Sequence, residues 1–397
     1  MGLVSELEKI IELDKYKRGF LSYITRYLHI AFKLDYKYAK KISIKYFGSW
    51  FLDAIRIGKV VNFLPVEDIV RIKDLKYLAY RMGKTYGSKN NEKNFIQEYK
   101  PFVFVFKFNK YRSRRYKYSP KIETIISPDK KYITLTVNEK FIKQNPKYNL
   151  EYSSHSSHSS HSSHLTNKCI IDNQDNIRSL TILMLQYKRL RKIYKGPPGF
   201  ADDNIFILMM KYNFIGTKNN HLSVPPPIIN SGMTELFGSP LNTISKNYCS
   251  ALHIDKVFGS KGSFFNTDLT PGMYLANPPF VEDIMISMTE KLLKDLNMVK
   301  GLIIFVVIPV WSEGAEERGV TYIPWELMKD SEYLRSHKIL KQDDYPFYDY
   351  YRDIYVSVTD FHLILLTNIT NPDIEEYMRG IMKKWNQFSE LVNKIDK

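Results

Sequence analysis

Four consecutive residues, Asn277-Pro278-Pro279-Phe280, combine groups that can hold and orient an aromatic amine. The side-chain oxygen of Asn277 and the backbone carbonyl of Pro278 could each accept one hydrogen bond from the amino group, which would push the nitrogen towards tetrahedral geometry. The prolines hold these carbonyl directions because each locks its own φ and restricts its predecessor. Phe280 would stack on the base, a contact worth about 1–3 kcal/mol for any base. The segment therefore predicts methyl transfer to an exocyclic amine such as N6 of adenine; the alternative is a tight turn with Phe280 in the core.

A second candidate site is the segment 235–242, with the sequence ELFGSPLN. We expect a small loop between a strand and a helix, where a nucleoside cofactor can approach backbone amides closely. A glycine turn at 258–262, FGSKG, could line the same pocket. The chain has neither G-x-G-x-x-G nor G-x-x-x-x-G-K-[ST] at this loop, which argues against a dinucleotide and against a nucleotide triphosphatase.

Both segments lie in a second half where predicted strands alternate with helices. The predicted helices are 179–194, 203–212, a helix near 242–251, 282–296 and a C-terminal helix opened by Asn371-Pro372. The predicted strands are 234–237, one ending at 276, 302–308 and 361–368, with a rigid turn at 224–229. This alternation predicts an open, mostly parallel α/β sheet, with ligands at the carboxyl ends of its strands.

The first half is basic. Residues 1–200 contain 39 Lys and Arg against 17 Asp and Glu, a net of +22, whereas residues 201–397 have a net of −6. Clustered cations on one half favour a nucleic acid through counterion release, although a solvated basic surface is the alternative. Two stretches, 110–118 and 188–195, interleave cations with aromatic residues. In the first of them we predict that Arg112, Arg114 and Arg115 contact the substrate.

Two parts are predicted before the second half of the chain: a basic domain over 1–150 and a linker that follows it. Residues 1–100 are predicted to be mainly helical, with helices at 5–28 and 66–82, and residues 101–150 to be β-rich. Alternating phenylalanines predict a strand over 102–108, and a second strand is expected at 131–137. The repeat SSHSSHSSHSSH at 153–164 predicts a flexible linker, 151–176, rather than a metal site, and no resident metal is expected.

Localisation is predicted to be soluble and intracellular. Two cysteines exclude a disulfide framework, and the longest apolar run, 301–311, is about half of a membrane span, so no membrane partner is expected.

Four segments together resemble the catalytic domain of the phosphorylated-CTD-interacting-factor family: ELFGSPLN, KNYCSALHIDKVFGSKGSFF, ANPPFVEDIM and a strand ending IPVW. The likeness covers about 203–368. These enzymes are cap-specific adenosine N6-methyltransferases that use S-adenosylmethionine. The resemblance implies a Rossmann-like S-adenosylmethionine-dependent methyltransferase domain over 177–397, preceded by a mainly helical basic domain. It implies capped mRNA as the partner, and a nuclear location for a cellular enzyme or a cytoplasmic factory or virion for a viral one.

The same resemblance assigns site residues. Asn277, Pro278, Pro279 and Phe280 become the catalytic loop, and Trp311 a wall of the adenine or cap pocket. The residues expected near the cofactor are Phe237, Gly238, Ser239, Pro240, Asn242, Gly259 and Ser260.

Some positions depart from the family pattern. Leu275 stands where Glu is expected, and Lys261 where Arg is expected. The four tryptophans, at 50, 311, 325 and 385, lack the spacing of a WW domain, which predicts a member without that domain and without direct WW-type contact with the polymerase tail. Two alternative functions stay open: a DNA adenine N6-methyltransferase, which requires base extrusion, and an inactive methyltransferase fold that serves as an RNA-binding subunit.

Overall fold

The computed structural model describes residues 3–31, 34–61, 64–65, 69–70, 104–105, 121–138, 179–216, 221–229, 232–310, 323–350, 352–371 and 373–395. The chain divides into two compact units, Met1–Phe47 with Phe106–Thr217 and Gly48–Val105 with Lys218–Lys397. The predicted domain boundaries at 150 and 176 fall outside the described residues and stay a prediction.

The regular elements in the described ranges are numbered along the chain. The helices are α1 (Leu3–Ala31), α2 (Tyr36–Arg56), α3 (Met184–Ile193), α4 (Ala201–Ile215), α5 (Glu282–Met298), α6 (Ile323–Lys329) and α7 (Ile374–Ile395). The strands are β1 (Val60–Val61), β2 (Leu64–Pro65), β3 (Ile69–Val70), β4 (Phe104–Val105), β5 (Ile122–Ile126), β6 (Tyr132–Val137), β7 (Ser179–Leu183), β8 (Leu222–Ser223), β9 (Met233–Glu235), β10 (Asn247–Tyr248), β11 (Gly272–Ala276), β12 (Leu302–Pro309), β13 (Leu334–Leu340), β14 (Phe347–Asp349), β15 (Ile354–Val356) and β16 (Phe361–Thr367).

The first unit combines helices with a small antiparallel sheet, β5-β6-β7. Helices α1 and α4 contact each other, and the buried side chains of Glu6 and Lys211 form an ion pair between them. Burial raises the pKa of Glu6, but the charges and hydrogen bonds of Lys211 and Lys9 outweigh it, so this pKa lies below its usual value. The carboxylate is thereby kept ionised inside the unit.

One predicted helix of this unit is wrong in part. The prediction over 179–194 holds only for α3, because Ser179–Leu183 forms the strand β7. Alternate residues of β7 are buried and the strand pairs along its whole length with β6. Cross-strand pairing and burial therefore outweighed local helix propensity. The other helical predictions here, α1 and α4, are confirmed.

The second unit contains a mixed six-stranded sheet in the order β10-β9-β11-β12-β16-β13. Strands β10, β9, β11 and β12 are parallel to one another. Strand β16 is antiparallel to both of its neighbours, β12 and β13. This arrangement confirms an α/β class and is compatible with a Rossmann-like fold, with one antiparallel strand where a mostly parallel sheet was expected.

The sheet separates two hydrophobic cores. All eight residues of β12 are buried, as expected for a strand covered on both faces. Alternate residues of β12 point to opposite sides: Phe305 packs with α7, and Val306 packs with α5. Burial on both faces explains why the apolar run that begins at 301 contains a central strand, Leu302–Pro309.

Two predicted helices need correction. The helix expected near 242–251 is absent in these described residues, which form turns and the strand β10. Within the helix expected over 66–82, Ile69–Val70 is the strand β3, paired with β4, and the rest is outside the described residues. The strand ending at 276, the helix starting at 282, and the strands at 302 and 361 are confirmed. None of the helices within the described ranges is both long and apolar enough to cross a membrane.

Candidate active site

The candidate site lies where the strand order of the large sheet reverses. The chain leaves β9, forms β10 on one side of it, and returns to form β11 on the other side. Because β9 and β11 are parallel neighbours, the segments that follow them emerge at the same edge of the sheet. Open α/β sheets bind ligands in the crevice at such a point.

The predicted catalytic loop, 277–280, continues directly from β11. Ala276 is fully buried, whereas Asn277 is half-buried and Pro278 is buried behind it. The N–H of Val281 donates to the carbonyl of Pro279 at 2.7 Å, which closes a tight turn before α5 begins. Among the residues that the structure describes, none hydrogen-bonds to the Asn277 carboxamide or the Pro278 carbonyl. Both oxygens therefore keep their capacity to accept hydrogen bonds.

Phe280 is half-buried and packs against both hydrophobic cores. Its ring meets that of Phe347 edge to face, with centroids 6.4 Å apart and an interplanar angle of 84°. Phe347 packs in turn on Phe361 and Trp385. Phe280 is therefore supported by neighbouring aromatic rings while part of its surface remains exposed. This position agrees in part with each prediction, a ring in the core and a ring that stacks on a base.

The loop after β9 is organised by its own side chains. The Ser239 N–H and hydroxyl both donate to the Asn242 side-chain oxygen, at 2.7 and 2.8 Å. The Gly238 N–H donates to the carbonyl of Cys249 at 2.9 Å, and Pro240 is buried. Ser239 and Asn242 thus direct their polar groups at each other, and their assignment to the cofactor stays a prediction.

Phe237 differs from its neighbours in the hydrogen bonding of its backbone amide. Its N–H makes no hydrogen bond within the described part of the chain, whereas the amides of its neighbours Leu236 and Gly238 are both paired. Its half-buried ring packs with Phe264 and Phe265, at centroid distances of 5.3 and 5.9 Å. Neither Phe264 nor Phe265 was predicted as a site residue, although both lie close behind the glycine turn at 258–262.

The second glycine turn lies beside the end of β10. Gly259 has a φ of 101°, a left-handed conformation that favours glycine. The hydroxyl of Ser260 bonds to that of Ser250 at 2.6 Å and accepts the Gly262 N–H at 3.0 Å. Ser260 therefore stabilises the turn, and a role for it with the cofactor is still a prediction.

Glu235, the last residue of β9, organises the predicted cofactor loop, 235–242, and was not itself predicted as a site residue. Its buried carboxylate accepts hydrogen bonds from the Thr243 hydroxyl at 2.8 Å and from the N–H groups of Ile244 and Ser245 at 2.7 and 2.6 Å. These amides are turned to a side chain rather than to a helical carbonyl. That is the physical reason why no helix forms near 242–251.

A small antiparallel sheet, β15-β14-β8, contacts both loops. Phe347 of β14 supports Phe280, as described above, and the Asn242 side chain donates to the carbonyl of Leu222 in β8 at 3.4 Å. Nothing in the local sequence pattern indicated this role, because the contacts join segments distant in the chain.

The remaining predicted site residues are outside the described residues: Trp311, Arg112, Arg114 and Arg115. The histidine repeat at 153–164 lies outside them as well. Leu275, which departs from the family pattern, is buried in the core on the α7 side of the sheet, with Met233 and Phe305. Lys261 is exposed, and its N–H donates to the Tyr248 carbonyl.

Parts of the chain are similar to known proteins. Residues 200–350 match the family model described as the phosphorylated CTD interacting factor 1 WW domain. A protein of Mus musculus named mRNA (2′-O-methyladenosine-N(6)-)-methyltransferase is 42% identical over 83 residues, and one of Homo sapiens with the same name is 41% identical over 83 residues. Each alignment covers 20% of this chain but 12% of the relative.

The family match contradicts the expectation that the WW domain and a WW-type contact with the polymerase tail are missing. That expectation relied on tryptophan spacing, the mark of a small separate module. Most described residues of 200–350 instead belong to the mixed sheet and its flanking loops. The chain is thus similar to phosphorylated CTD interacting factor 1 over 200–350, and to two mRNA methyltransferases over a shorter segment.

Proposed function

We propose that this chain transfers a methyl group from S-adenosylmethionine to N6 of the adenosine, 2′-O-methylated, that adjoins the 7-methylguanosine cap of mRNA. One observation carries the proposal: the Asn277 carboxamide and Pro278 carbonyl, both without a partner among the described residues, lie beside the Phe237 loop at the switch point of the sheet. The names of the two relatives support mRNA as the substrate.

The residues present fit S-adenosylmethionine as the donor. The Phe237 amide offers a hydrogen-bond donor at the carboxyl end of β9, and the Phe237, Phe264 and Phe265 rings form an apolar wall suited to an adenine. Bound there, S-adenosylmethionine supplies an electrophilic methyl group on a sulfonium. The buried turn of Ser239 and Asn242 keeps the Phe237 amide in place.

The catalytic loop acts on the acceptor amine. The Asn277 side-chain oxygen and the Pro278 carbonyl oxygen each accept one hydrogen bond from the N6 amino group. These two bonds reduce the conjugation of the nitrogen lone pair with the ring. Phe280, supported by Phe347, stacks on the adenine and sets its plane. These contacts fix the nitrogen at a reacting distance of about 3–3.5 Å, and this orientation supplies the rate.

Proton removal requires no dedicated base in this scheme. Once N6 has gained the methyl group it is an ammonium and a strong acid, so one of its two hydrogens passes to water. Until then the Asn277 and Pro278 oxygens hold both hydrogens.

Mass spectrometry of the first transcribed nucleotide tests the proposal. The full chain is incubated with isotopically labelled S-adenosylmethionine and with m7G-capped adenosine-start RNA, uncapped RNA or duplex DNA. We expect label on N6 of the cap-adjacent adenosine, with capped RNA preferred by about tenfold or more. Preferred transfer to duplex DNA would support the DNA alternative, and RNA binding without transfer or donor binding would support the inactive fold.

A further inference from the structure

Helix α3 presents a row of exposed cations on one side. Lys188 and Lys192 are four residues apart, so they lie on the same face of the helix, about 6 Å apart along its axis. The exposed Lys195 follows just beyond the end of the helix at Ile193. The sequence of α3 contains no Asp or Glu. Like charges at this spacing destabilise a helix, and an anion bound along the row would remove that repulsion.

The opposite side of α3 is anchored in the first unit. Gln186 and Leu190 are buried there. At the start of the helix, the N–H of Met184 donates to the carbonyl of Lys131 at 2.8 Å. This bond places the turn between β5 and β6, with the exposed Lys130 and Lys131, beside the first turn of α3. The row of cations is therefore continued at this end by the turn.

The loop that follows α3 is fixed to the start of α4. Nη1 of Arg191 donates to the Asp202 carboxylate at 3.0 Å. The side-chain amide of Asn204 donates to the Tyr194 hydroxyl at 3.0 Å and to the Phe200 carbonyl at 2.8 Å. These bonds hold the backbone at Phe200, a residue that is nevertheless 56% exposed. A large aromatic ring is thus presented to solvent beside a cationic helix, the combination on which unpaired bases stack.

The lysines supply the net charge of this surface. The Asp202 carboxylate also accepts a hydrogen bond from the Tyr187 hydroxyl at 2.7 Å, and its ion pair with Arg191 offsets that cation. In the part of the chain that the structure describes, no carboxylate forms an ion pair with Lys188, Lys192 or Lys195. Their ammonium groups therefore remain uncompensated.

We propose that the α3 surface, defined as Lys188, Lys192, Lys195 and Phe200, binds a single-stranded stretch of the RNA outside the cap and the first nucleotide. The lysines hold successive phosphates, and a base stacks on Phe200. The inference rests on the proposed function and deepens it by adding a second contact with the same substrate.

A single-stranded nucleic acid fits this surface better than other anions do. Its phosphates repeat along the chain as the lysines repeat along α3, and a lysine ammonium binds a phosphate as a point charge. Stacking on Phe200 requires an unpaired base, whereas the bases of a duplex are stacked on each other. A helix that lies on a membrane inserts an apolar side, but Leu190 on that side of α3 is buried in the first unit.

Fluorescence anisotropy with the full chain measures this contact. Two unstructured m7G-capped RNAs that start with adenosine, one of about four and one of about twenty nucleotides, are titrated at several salt concentrations. We expect the longer RNA to bind at least tenfold more tightly and to lose affinity more steeply as salt rises. Equal affinity for both lengths would overturn the proposal. Tighter binding of a duplex of the longer sequence, or equal competition by a glutamate-rich peptide, would overturn it as well.

Variants locate the contact on α3. The double variant Lys188→Gln, Lys192→Gln should weaken binding of the longer RNA about tenfold and reduce the salt slope by about 0.7 for each lost phosphate contact. Phe200→Ala should weaken it about tenfold, and Phe200→Tyr should restore most of the affinity. The matched control is Lys294→Gln, Lys300→Gln, which removes the same charge at two exposed lysines near the end of α5. Equal losses for the two double variants, with folding checked by circular dichroism, would refute the α3 assignment.

Methyl transfer separates the two proposals. With the longer RNA, the α3 variants should raise KM about tenfold and leave kcat unchanged, because they touch none of the reacting groups. With the shorter RNA, both constants should stay those of the parent. Length-dependent binding through α3 without any transfer contradicts the proposed function alone, whereas normal transfer with binding that is independent of length contradicts the α3 assignment alone.

Discussion

The N–H of Leu236 donates a 2.9 Å hydrogen bond to the carbonyl of Leu275, so β9 and β11 stay paired close to the points where the predicted cofactor loop and the predicted catalytic loop begin. Phe237 follows one partner of this bond, and Asn277 follows the other after one residue. A backbone contact therefore sets the spacing between the cofactor loop and the catalytic loop. Substitutions in the predicted cofactor loop are expected to affect donor binding, and substitutions in the predicted catalytic loop are expected to affect turnover.

Asn277→Ala should lower kcat at least 100-fold, because one of two acceptors for the amine is lost at the step where orientation supplies the rate. S-adenosylmethionine affinity, measured by calorimetry, should change less than about threefold, since the cofactor loop is untouched. Asn371→Ala, at an exposed asparagine outside the site, is the control. Normal turnover by Asn277→Ala would remove this side chain from the mechanism.

Gly238→Ala should destabilise the cofactor loop. A Cβ at this position would lie 3.2 Å from Cβ of Tyr248 and 3.3 Å from Cβ of Thr243, both buried. We expect urea unfolding to show a loss of about 1–3 kcal/mol, together with weaker donor binding. Gly232→Ala is the matched control, because nothing lies within 4 Å of its added Cβ. Similar losses for both variants would contradict the packing argument.

Phe347→Leu should impair the acceptor side of the site. The substitution removes the ring that meets Phe280 edge to face, so we expect kcat/KM for RNA to fall about tenfold while donor affinity is kept. Phe361→Leu is the control, since Phe361 is equally buried and packs on Phe347 and Trp385. Both variants should lose about 1–2 kcal/mol of stability. An equal fall in kcat/KM for both would assign the effect to the core.

Stability should decrease in acid through His362. Its Nδ1 lies 2.7 Å from Nε2 of His337, and its ring stacks on Trp325 at 4.6 Å. Burial, with the charge of His337, lowers the pKa of His362 from 6.5 to about 4. The unfolded chain therefore binds a proton at His362 that the folded chain excludes, and stability is lost as the pH falls from 6.5 towards 4.

His362→Phe keeps a ring against Trp325 without the titrating group. The loss in free energy of unfolding between pH 7 and pH 5, measured by urea denaturation, should be smaller in the variant by about 1–2 kcal/mol. His221, whose pKa burial also lowers to about 4, remains in both proteins, so some pH dependence persists. An identical loss in His362→Phe would refute the assignment.

The local sequence pattern correctly predicted those elements around the site whose side chains are uniformly buried or regularly spaced. The apolar stretch at 302–308 could only be a covered strand, and the apolar spacing after 282 predicted α5. Prediction failed where a distant partner decides the conformation. Ser179–Leu183 forms a strand because it pairs with β6. Residues 243–245 do not form a helix because their polar groups donate to the Glu235 carboxylate.

The amino-acid sequence alone determined which groups the catalytic loop presents, because two successive prolines restrict the backbone whatever surrounds them. It also determined the excess of cations in the first half. Tertiary structure decided that Asn277 and Phe237 lie at the same edge of the sheet, that Ser239 and Asn242 hydrogen-bond to each other, and that Trp50, Arg56 and Asp283 line one cavity. These outcomes depend on strand order and on contacts between residues far apart in the chain, which no local pattern encodes.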